Sequence, residues 1–391
     1  MDMTKTLTAL ALLTLMGAMA YGRSTTENKT FQFLKDSYTA CSVVKSDASP
    51  ESYRVIEKGH LKYLITPGRA TGWGGPMTVA PVMTPELILE KVLVTEHRET
   101  PVFFDYLTAN HFFSQFKGKK PQDAVRIGKN IDTVSGATIS SIAITRAVRS
   151  GMDMASHELN GTALPPQALS WSAGRDEALL LGLYVAVITC TLLKLRKARL
   201  PMLALSFLFL GLMMKRPVSV SNIAALFMGH GPSPGENIFW WLLVPGSLAL
   251  VIILGKNVYC SWICPFGAIQ ELISRTGGLN TPVPKALQSG LKTAAKGGTW
   301  LALMVAFGSG NAAHAAIEPF ATLFGLKGTT VQWYLVSLVL VGAFFIPRFW
   351  CRFFCPAGVC FRSASGLRRS IKRGIHIQPS MNKADHETFP N

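Results

Sequence analysis

The sequence predicts an α+β extracytoplasmic domain followed by an all-α polytopic membrane domain of about five transmembrane helices. Three features carry that expectation: the N-terminus has the pattern of an export signal, residues 25–170 mix polar and apolar side chains without a spanning run, and apolar runs recur after residue 175. The chain has 391 residues, of which 49% are hydrophobic. Its mean hydropathy is +0.28, too apolar for a soluble protein built on one domain of this size.

Taken in order, residues 1–22 hold Lys5, the apolar run Leu7–Met16 and the small-residue site Ala18-Met19-Ala20. This is a signal peptide or, because the run is short for a spanning helix, an uncleaved signal anchor. Apolar runs follow at about 177–193, 200–214, 237–255, 299–313 and 331–347. Several are shorter than the roughly 20 residues a bilayer core needs, so their ends must extend into flanking sequence. Basic residues then set the orientation. Lys194, Arg196, Lys197 and Arg199 follow the first run, Lys285, Lys292 and Lys296 precede the fourth, and Arg348, Arg352, Arg362, Arg368, Arg369, Lys372 and Arg373 follow the fifth. Only Lys215-Arg216 falls on the other side. The expectation is a multi-pass inner-membrane protein with residues 25–170 in the periplasm, a membrane domain over 175–365 and a cytoplasmic tail over 366–391. Its net charge of +17 sits largely in loops bordering the runs, where it marks the cytoplasmic side and favours anionic lipid rather than nucleic acid.

Residues 132–141 read Asp-Thr-Val-Ser-Gly-Ala-Thr-Ile-Ser-Ser. They fit the pattern Asp-x-x-Ser/Thr-Gly-Ala-Thr, on which a flavin transferase esterifies FMN phosphate to the last Thr hydroxyl, here Thr138. Gly136 and the small Ala137 let the backbone approach a bulky phosphate. A helix starting at Thr138–Ile139 points its free N–H groups and positive end at that anion. Ser135 is placed to hydrogen-bond the phosphate, and Asp132 to orient the loop or assist the transferase. An ordinary Ser/Thr-capped helix start is the alternative for these letters. Upstream lie Gly72-Trp73-Gly74-Gly75-Pro76-Met77, His97-Arg98-Glu99-Thr100-Pro101 and Phe112-Phe113-Ser114-Gln115-Phe116-Lys117-Gly118. In this order and spacing, residues 60–150 resemble the FMN-binding domain of RnfG, NqrC and NosR-type proteins. The resemblance implies covalent FMN, with Glu99 and Thr100 among its contacts.

A second motif occurs twice. Tyr259-Cys260-Ser261-Trp262-Ile263-Cys264-Pro265-Phe266-Gly267 and Trp350-Cys351-Arg352-Phe353-Phe354-Cys355-Pro356-Ala357-Gly358 both read aromatic-C-x3-C-P-x-G, with the first cysteines 91 positions apart. Ala224-Ala225-Leu226-Phe227 and Ala321-Thr322-Leu323-Phe324 precede them as a weaker echo, so the module reads as an internal duplication. A C-x3-C-P fragment also closes the bacterial ferredoxin ligand run. Cys260, Cys264, Cys351 and Cys355 are therefore candidate ligands of one iron–sulfur centre, for which the two loops must meet. Pro265 and Pro356 are expected to stop helices, and the glycines after them to turn the chain. Tyr259, Trp262, Trp350, Phe353 and Phe354 either shield such a centre or anchor the chain at an interface. Structural cysteines and a zinc site remain alternatives; disulfides fit poorly with a reducing compartment. Cys360 follows closely, while Cys41 and Cys190 read as isolated thiols.

The flavin motif, the apolar runs and the paired cysteines together resemble NosR/NirI-type membrane flavoproteins over residues 60–365. That resemblance implies electron transfer from the quinol pool or a cytoplasmic donor to a periplasmic acceptor, with a flavin transferase needed for maturation. Longer members of the family carry C-x2-C-x2-C-x3-C-P runs, and this sequence has none. FMN suits such a role because it accepts electrons in pairs and passes them on singly. No catalytic residue is assigned. Two other readings stay open: a membrane redox sensor or regulator, and a component of an ion-translocating oxidoreductase, which the scarcity of acidic residues in the apolar runs disfavours. His230 and His314 stand as candidate quinol or haem contacts, or as plain loop residues.

Overall fold

The computed structural model describes residues 3–24, 29–39, 41–46, 51–99, 101–123, 125–134, 137–161, 174–232, 234–235, 237–277, 279, 281–326 and 328–376. The chain divides into two compact units: residues 1–177, 219–241 and 300–336 form the first, and 178–218, 242–299 and 337–391 the second.

The first unit opens with helices α1 (Met3–Ser24) and α2 (Lys29–Ser37). Strands β1 (Ser42–Lys45), β2 (Tyr53–Glu57), β3 (His60–Ile65), β4 (Gly68–Thr71), β5 (Pro76–Met83) and β6 (Leu89–Glu96) form one sheet. Every pairing is antiparallel, and β5 is the hub, bonded to β3, β4 and β6. Alternation along β5 divides two cores, as a pleated strand buried on both faces requires. Met77, Val79 and Met83 join Leu107, Phe112, Ile144 and Val148 on one face, while Ala80 and Val82 join Leu34, Tyr53 and Val55 on the other. Helices α3 (Pro101–Ala109) and α4 (Thr138–Asn160) complete this α+β domain.

The seating of α4 on the sheet decides where its N-terminus points. Small residues permit an unusually close approach. A Cβ on Gly151 of α4 would lie 2.3 Å from the Thr66 carbonyl oxygen and 2.5 Å from Pro81 Cγ, and a Cβ on Gly68 would lie 1.9 Å from the Ala147 carbonyl oxygen. The Thr66 hydroxyl donates to the Gly151 carbonyl at 2.6 Å, a buried bond that fixes the axial position of the helix.

Beyond α4 the described chain is helical: α5 (Arg175–Leu192), α6 (Arg199–Ser206), α7 (Val220–Met228), α8 (Ile238–Leu254), α9 (Pro265–Gly277), α10 (Lys285–Gly308), α11 (Phe320–Gly325), α12 (Thr330–Phe345), α13 (Phe349–Phe353) and α14 (Pro356–His376). Here the structure corrects the sequence-based expectation. Among the described residues no helix is long and apolar enough to cross a membrane, which overturns the polytopic domain of about five transmembrane helices. The apolar runs are real, but each is broken or short. The run at 200–214 divides into eight-residue α6 and a seven-residue π-helical segment, Phe207–Met213. Helix α8 has 17 residues with Pro245 inside it, and α12 has 16. At 1.5 Å per residue these reach about 24–26 Å, short of a hydrocarbon core of roughly 30 Å. Helix α10 is longer, but Lys285, Lys292 and Lys296 occupy its first half. The sidedness counted from those runs loses its basis with them. The expected tail over 366–391 is also revised at its start, because α14 continues to His376; residues 377–391 lie outside the described residues.

Replacing Gly151 by Val should destabilise the first unit by about 3 kcal/mol, the upper range for overpacking a closed contact. A thermal melt that leaves the midpoint unchanged would show that α4 does not need this close seat.

Candidate functional site

The first candidate site lies at the N-terminus of α4. Thr138 is the first helical residue, after Ala137 with φ −126° and ψ 26°. The preceding loop is held against the first turn by Ser141, whose hydroxyl donates to the Ala137 carbonyl at 3.0 Å and accepts from the Val134 N–H at 3.2 Å. Further upstream, Gln115 clasps Asp132 through the backbone, accepting from its N–H at 2.8 Å and donating to its carbonyl at 3.2 Å. Asp132 itself is exposed. The first N–H groups of a helix have no intrahelical acceptor, so a 23-residue helix presents donors and the positive end of its dipole here. Ser135, Gly136 and Thr100, named from the sequence as flavin contacts, lie outside the described residues.

Glu99 is the charged centre of this region. It is 3% exposed; Oε2 accepts from the Gly74 N–H at 3.3 Å, and among the described residues Oε1 has no hydrogen-bond partner. Burial pushes its carboxyl up to about 7, against the pull of the Gly74 and Trp73 N–H groups and the Ser140 hydroxyl. Cβ atoms on Gly72 and Gly74 would lie 1.9 Å from Glu99 Oε1 and 2.1 Å from the Arg98 carbonyl oxygen, so the loop 72–75 is glycine-built for close approach. Beside it His97 stacks on Phe104 at 3.8 Å. An unpartnered buried carboxyl oxygen, a glycine cradle and an anion-binding helix end suit a polar, phosphate-bearing cofactor such as FMN.

The second candidate site is the cysteine repeat, all of it in the second unit. The two halves share their backbone bonding. Cys264 N–H bonds the Tyr259 carbonyl at 2.8 Å and Cys355 N–H the Trp350 carbonyl at 2.9 Å; the Cys264 and Cys355 carbonyls then accept from Ala268 and Val359, both at 3.1 Å. The first pair sits on a π-helical turn, Tyr259–Ile263, an irregularity often found at functional sites. The turn expected after the prolines is corrected here. Helical segments do end just before Pro265 and Pro356, at Ile263 and Phe353. Each proline also begins a new helix, α9 or α14, that takes in Gly267 or Gly358 instead of turning there, because the first helical position needs no N–H. Cys264 and Cys355 therefore precede helix N-termini, where N–H groups favour a thiolate.

Neighbouring donors converge on the sulfurs. Gly358 N–H donates to Cys355 Sγ at 3.2 Å, and Gln270 Nε2 to Cys351 Sγ, also at 3.2 Å. Burial pushes the Cys260 thiol up to about 12, with Cys264 adding to the rise. Burial likewise raises Cys351, with further contributions from Cys264 and Cys260, so these three thiols share one desolvated region. Such thiols give up their protons on capturing a metal rather than to water. Among the described residues no three His, Cys, Asp or Glu side chains stand close enough to hold a single metal ion, which does not match the zinc alternative. A four-iron core binds each thiolate on a different iron and spreads them more widely. The donor set, soft thiolates with N–H groups and guanidinium charge around them, fits it.

Three residues tying the halves together carry no signal in the sequence. Glu271 on α9 accepts from Arg199 at 2.7 and 3.0 Å, from Arg275 at 3.1 Å and from Arg348 at 2.9 Å. These cations hold its carboxyl below the usual range, although burial opposes them. Arg348 reaches on to the Cys260 carbonyl at 2.7 Å. Gln270 donates to Cys351 and accepts from the Trp350 N–H at 2.9 Å. Partners separated by about 80 positions leave no periodic trace.

The two histidines have protein partners among the described residues. Arg98 Nη1 lies 2.8 Å from both ring nitrogens of His230, and His314 Nδ1 pairs with the Ser309 hydroxyl at 2.8 Å at an exposed position.

Comparison with known proteins gives a domain match over each of the two regions. An FMN-binding domain matches residues 72–153, and a 4Fe-4S binding domain matches residues 237–284 and 334–374. The chain is 32% identical over 179 residues to protein NirI of Paracoccus denitrificans, covering 42% of this chain and 26% of that protein. It is 30% identical over 186 residues to regulatory protein NosR of Pseudomonas aeruginosa, covering 42% and 25%. It is also 30% identical over 111 residues to a component of the proton-translocating ferredoxin:NAD(+) oxidoreductase complex of Clostridium ljungdahlii, covering 26% and 59%. The chain thus spans about a quarter of the length of the first two relatives. These matches make the chain similar to NirI and NosR over part of their length and support FMN and an iron–sulfur cluster as its cofactors.

The buried Glu99 generates a pH prediction. Its folded pKa stands near 7, above the value of about 4.3 in an unfolded chain. The folded state therefore holds the extra proton, and its stability is full below about pH 4.3 and is lost as pH rises through 7. Glu99→Gln should flatten that decline and gain about 3 kcal/mol over the wild type at pH 8. Melts of both proteins from pH 4 to 8 that run parallel would show that Glu99 does not titrate this way.

Proposed function

We propose that the protein carries electrons between a two-electron donor, the quinol pool or a cytoplasmic carrier, and a periplasmic redox acceptor. In this reading a flavin transferase esterifies FMN to Thr138, and Cys260, Cys264, Cys351 and Cys355 ligate one 4Fe-4S cluster. The observation that carries it is the placement of Thr138 as the first residue of a rigidly seated helix, beside a glycine cradle and a buried carboxyl. When bound, FMN supplies paired uptake and single release of electrons. The chain's own part is positional and electrostatic. Helix α4 directs N–H groups at the phosphate, Ser141 and Gln115 fix the loop before it, and Glu99 holds or yields a proton near neutrality beneath loop 72–75. Around the cysteines, Arg348 and the helix N-termini offset thiolate charge, while the stack of Tyr259 on Phe361 at 4.6 Å and the buried Phe353 exclude water.

Attachment to the inner-membrane surface, with the flavin domain on the exported side, belongs to the same proposal. It is supported by α1, where Leu7, Leu10, Leu12, Leu13 and Met16 are all more than half exposed, a surface suited to lipid. A second reading is favoured by the name that two relatives share, regulatory protein NosR: a redox sensor reporting to a partner. Under electron transfer, loss of flavin stops reduction of the acceptor. Under sensing, it changes gene expression and leaves that reduction intact.

Wild-type chain co-expressed with a flavin transferase should give a fluorescent band on a denaturing gel, and Thr138→Ala should abolish it. A band that persists in Thr138→Ala moves the attachment elsewhere, with Ser140 the next hydroxyl to test.

A further inference from the structure

Gln270 is a fully buried polar side chain (0% exposed), and its three hydrogen bonds settle its orientation. Its Oε1 accepts from the Trp350 N–H at 2.9 Å. A backbone N–H can only donate, so this contact identifies the oxygen end of the amide. The nitrogen end is thereby fixed toward the Phe266 carbonyl at 3.2 Å and the Cys351 sulfur at 3.2 Å. With one proton committed to the carbonyl and the other aimed at sulfur, the amide has no alternative pairing. Because Gln270 stands on α9, which begins directly after Cys264, while two of its partners belong to the second repeat, one side chain couples the position of Cys351 to the first cysteine pair.

We propose that Gln270 is a positioning residue for the iron–sulfur centre, holding Cys351 in register with Cys260 and Cys264 and donating a hydrogen bond to its thiolate. The inference rests on the reading of these cysteines as cluster ligands. A donor to a ligand sulfur stabilises the more negative, reduced state more than the oxidised one, and so raises the reduction potential. The Trp350 N–H anchor makes the bond rigid, so little of its effect is lost to side-chain motion.

The test uses the full chain, purified anaerobically, as wild type, Gln270→Glu and Gln270→Leu. Gln270→Glu keeps the acceptor for Trp350 N–H but places a carboxylate oxygen at the sulfur; Gln270→Leu removes both functions at similar volume. Iron and acid-labile sulfide are measured with the EPR spectrum and midpoint potential of the reduced centre. Both variants are expected to retain iron, to shift the midpoint to more negative values, with Gln270→Glu the larger shift, and to alter the EPR g-values. Iron-loaded variants with the wild-type midpoint and spectrum would overturn the donor role. Folded, flavin-loaded variants that lose all iron would overturn the donor role and leave the holding of Cys351 in register as the whole part of Gln270. Wild-type protein that carries flavin but no iron would instead sink the ligand assignment beneath the inference.

Discussion

One carboxylate, Glu271, organises the second unit. It gathers Arg199, Arg275 and Arg348 within 3.1 Å, and Arg348 passes the connection to the Cys260 carbonyl. Burying a carboxylate is costly unless each oxygen is paired, and a three-cation arrangement meets that demand. Arg348 adopts φ 56°, a left-handed conformation that costs a non-glycine residue of order 1 kcal/mol, held here by bonds on two elements. The neighbouring Gln270 repeats the pattern in neutral form, bonding Trp350 and Cys351. Two adjacent residues of α9 thus bring the halves of a duplicated motif together.

The two sites answer a shared physical problem differently. At the proposed flavin site an anion would approach a helix end and a glycine loop, where the protein supplies N–H donors. At the cysteine site thiolate charge must form in a desolvated region, so N–H groups act together with guanidinium groups. Each site also depends on one structural lock: the close packing of Gly151 of α4 on the sheet, and the Glu271 cluster. Moving either lock displaces the functional atoms without touching them.

Much of the local chemistry was legible in the sequence. The helix start at Thr138 follows from the small residues before it, and the repeated bonding of Cys264 and Cys355 follows the repeated letters. Long-range ties were not legible, because Gln270, Glu271 and Arg348 are ordinary polar residues whose partners lie far along the chain. The expected turn after each proline failed through an ambiguity of local rules, since the proline that follows one helix can begin the next. The transmembrane expectation failed because run length was read without local geometry: Pro245, the π-helical segment at Phe207–Met213 and the lysines of α10 interrupt or charge what average hydropathy joins.

The central claim is that the two cysteine pairs serve one centre. It is tested most directly by iron and sulfide per chain in anaerobic Cys260→Ser and Cys351→Ser proteins, each carrying one lesion in a different repeat. A shared centre predicts that either substitution removes or transforms the entire iron–sulfur signal. Retention of half the iron, with an unaltered spectrum from the intact repeat, would mean two separate sites and would contradict the account.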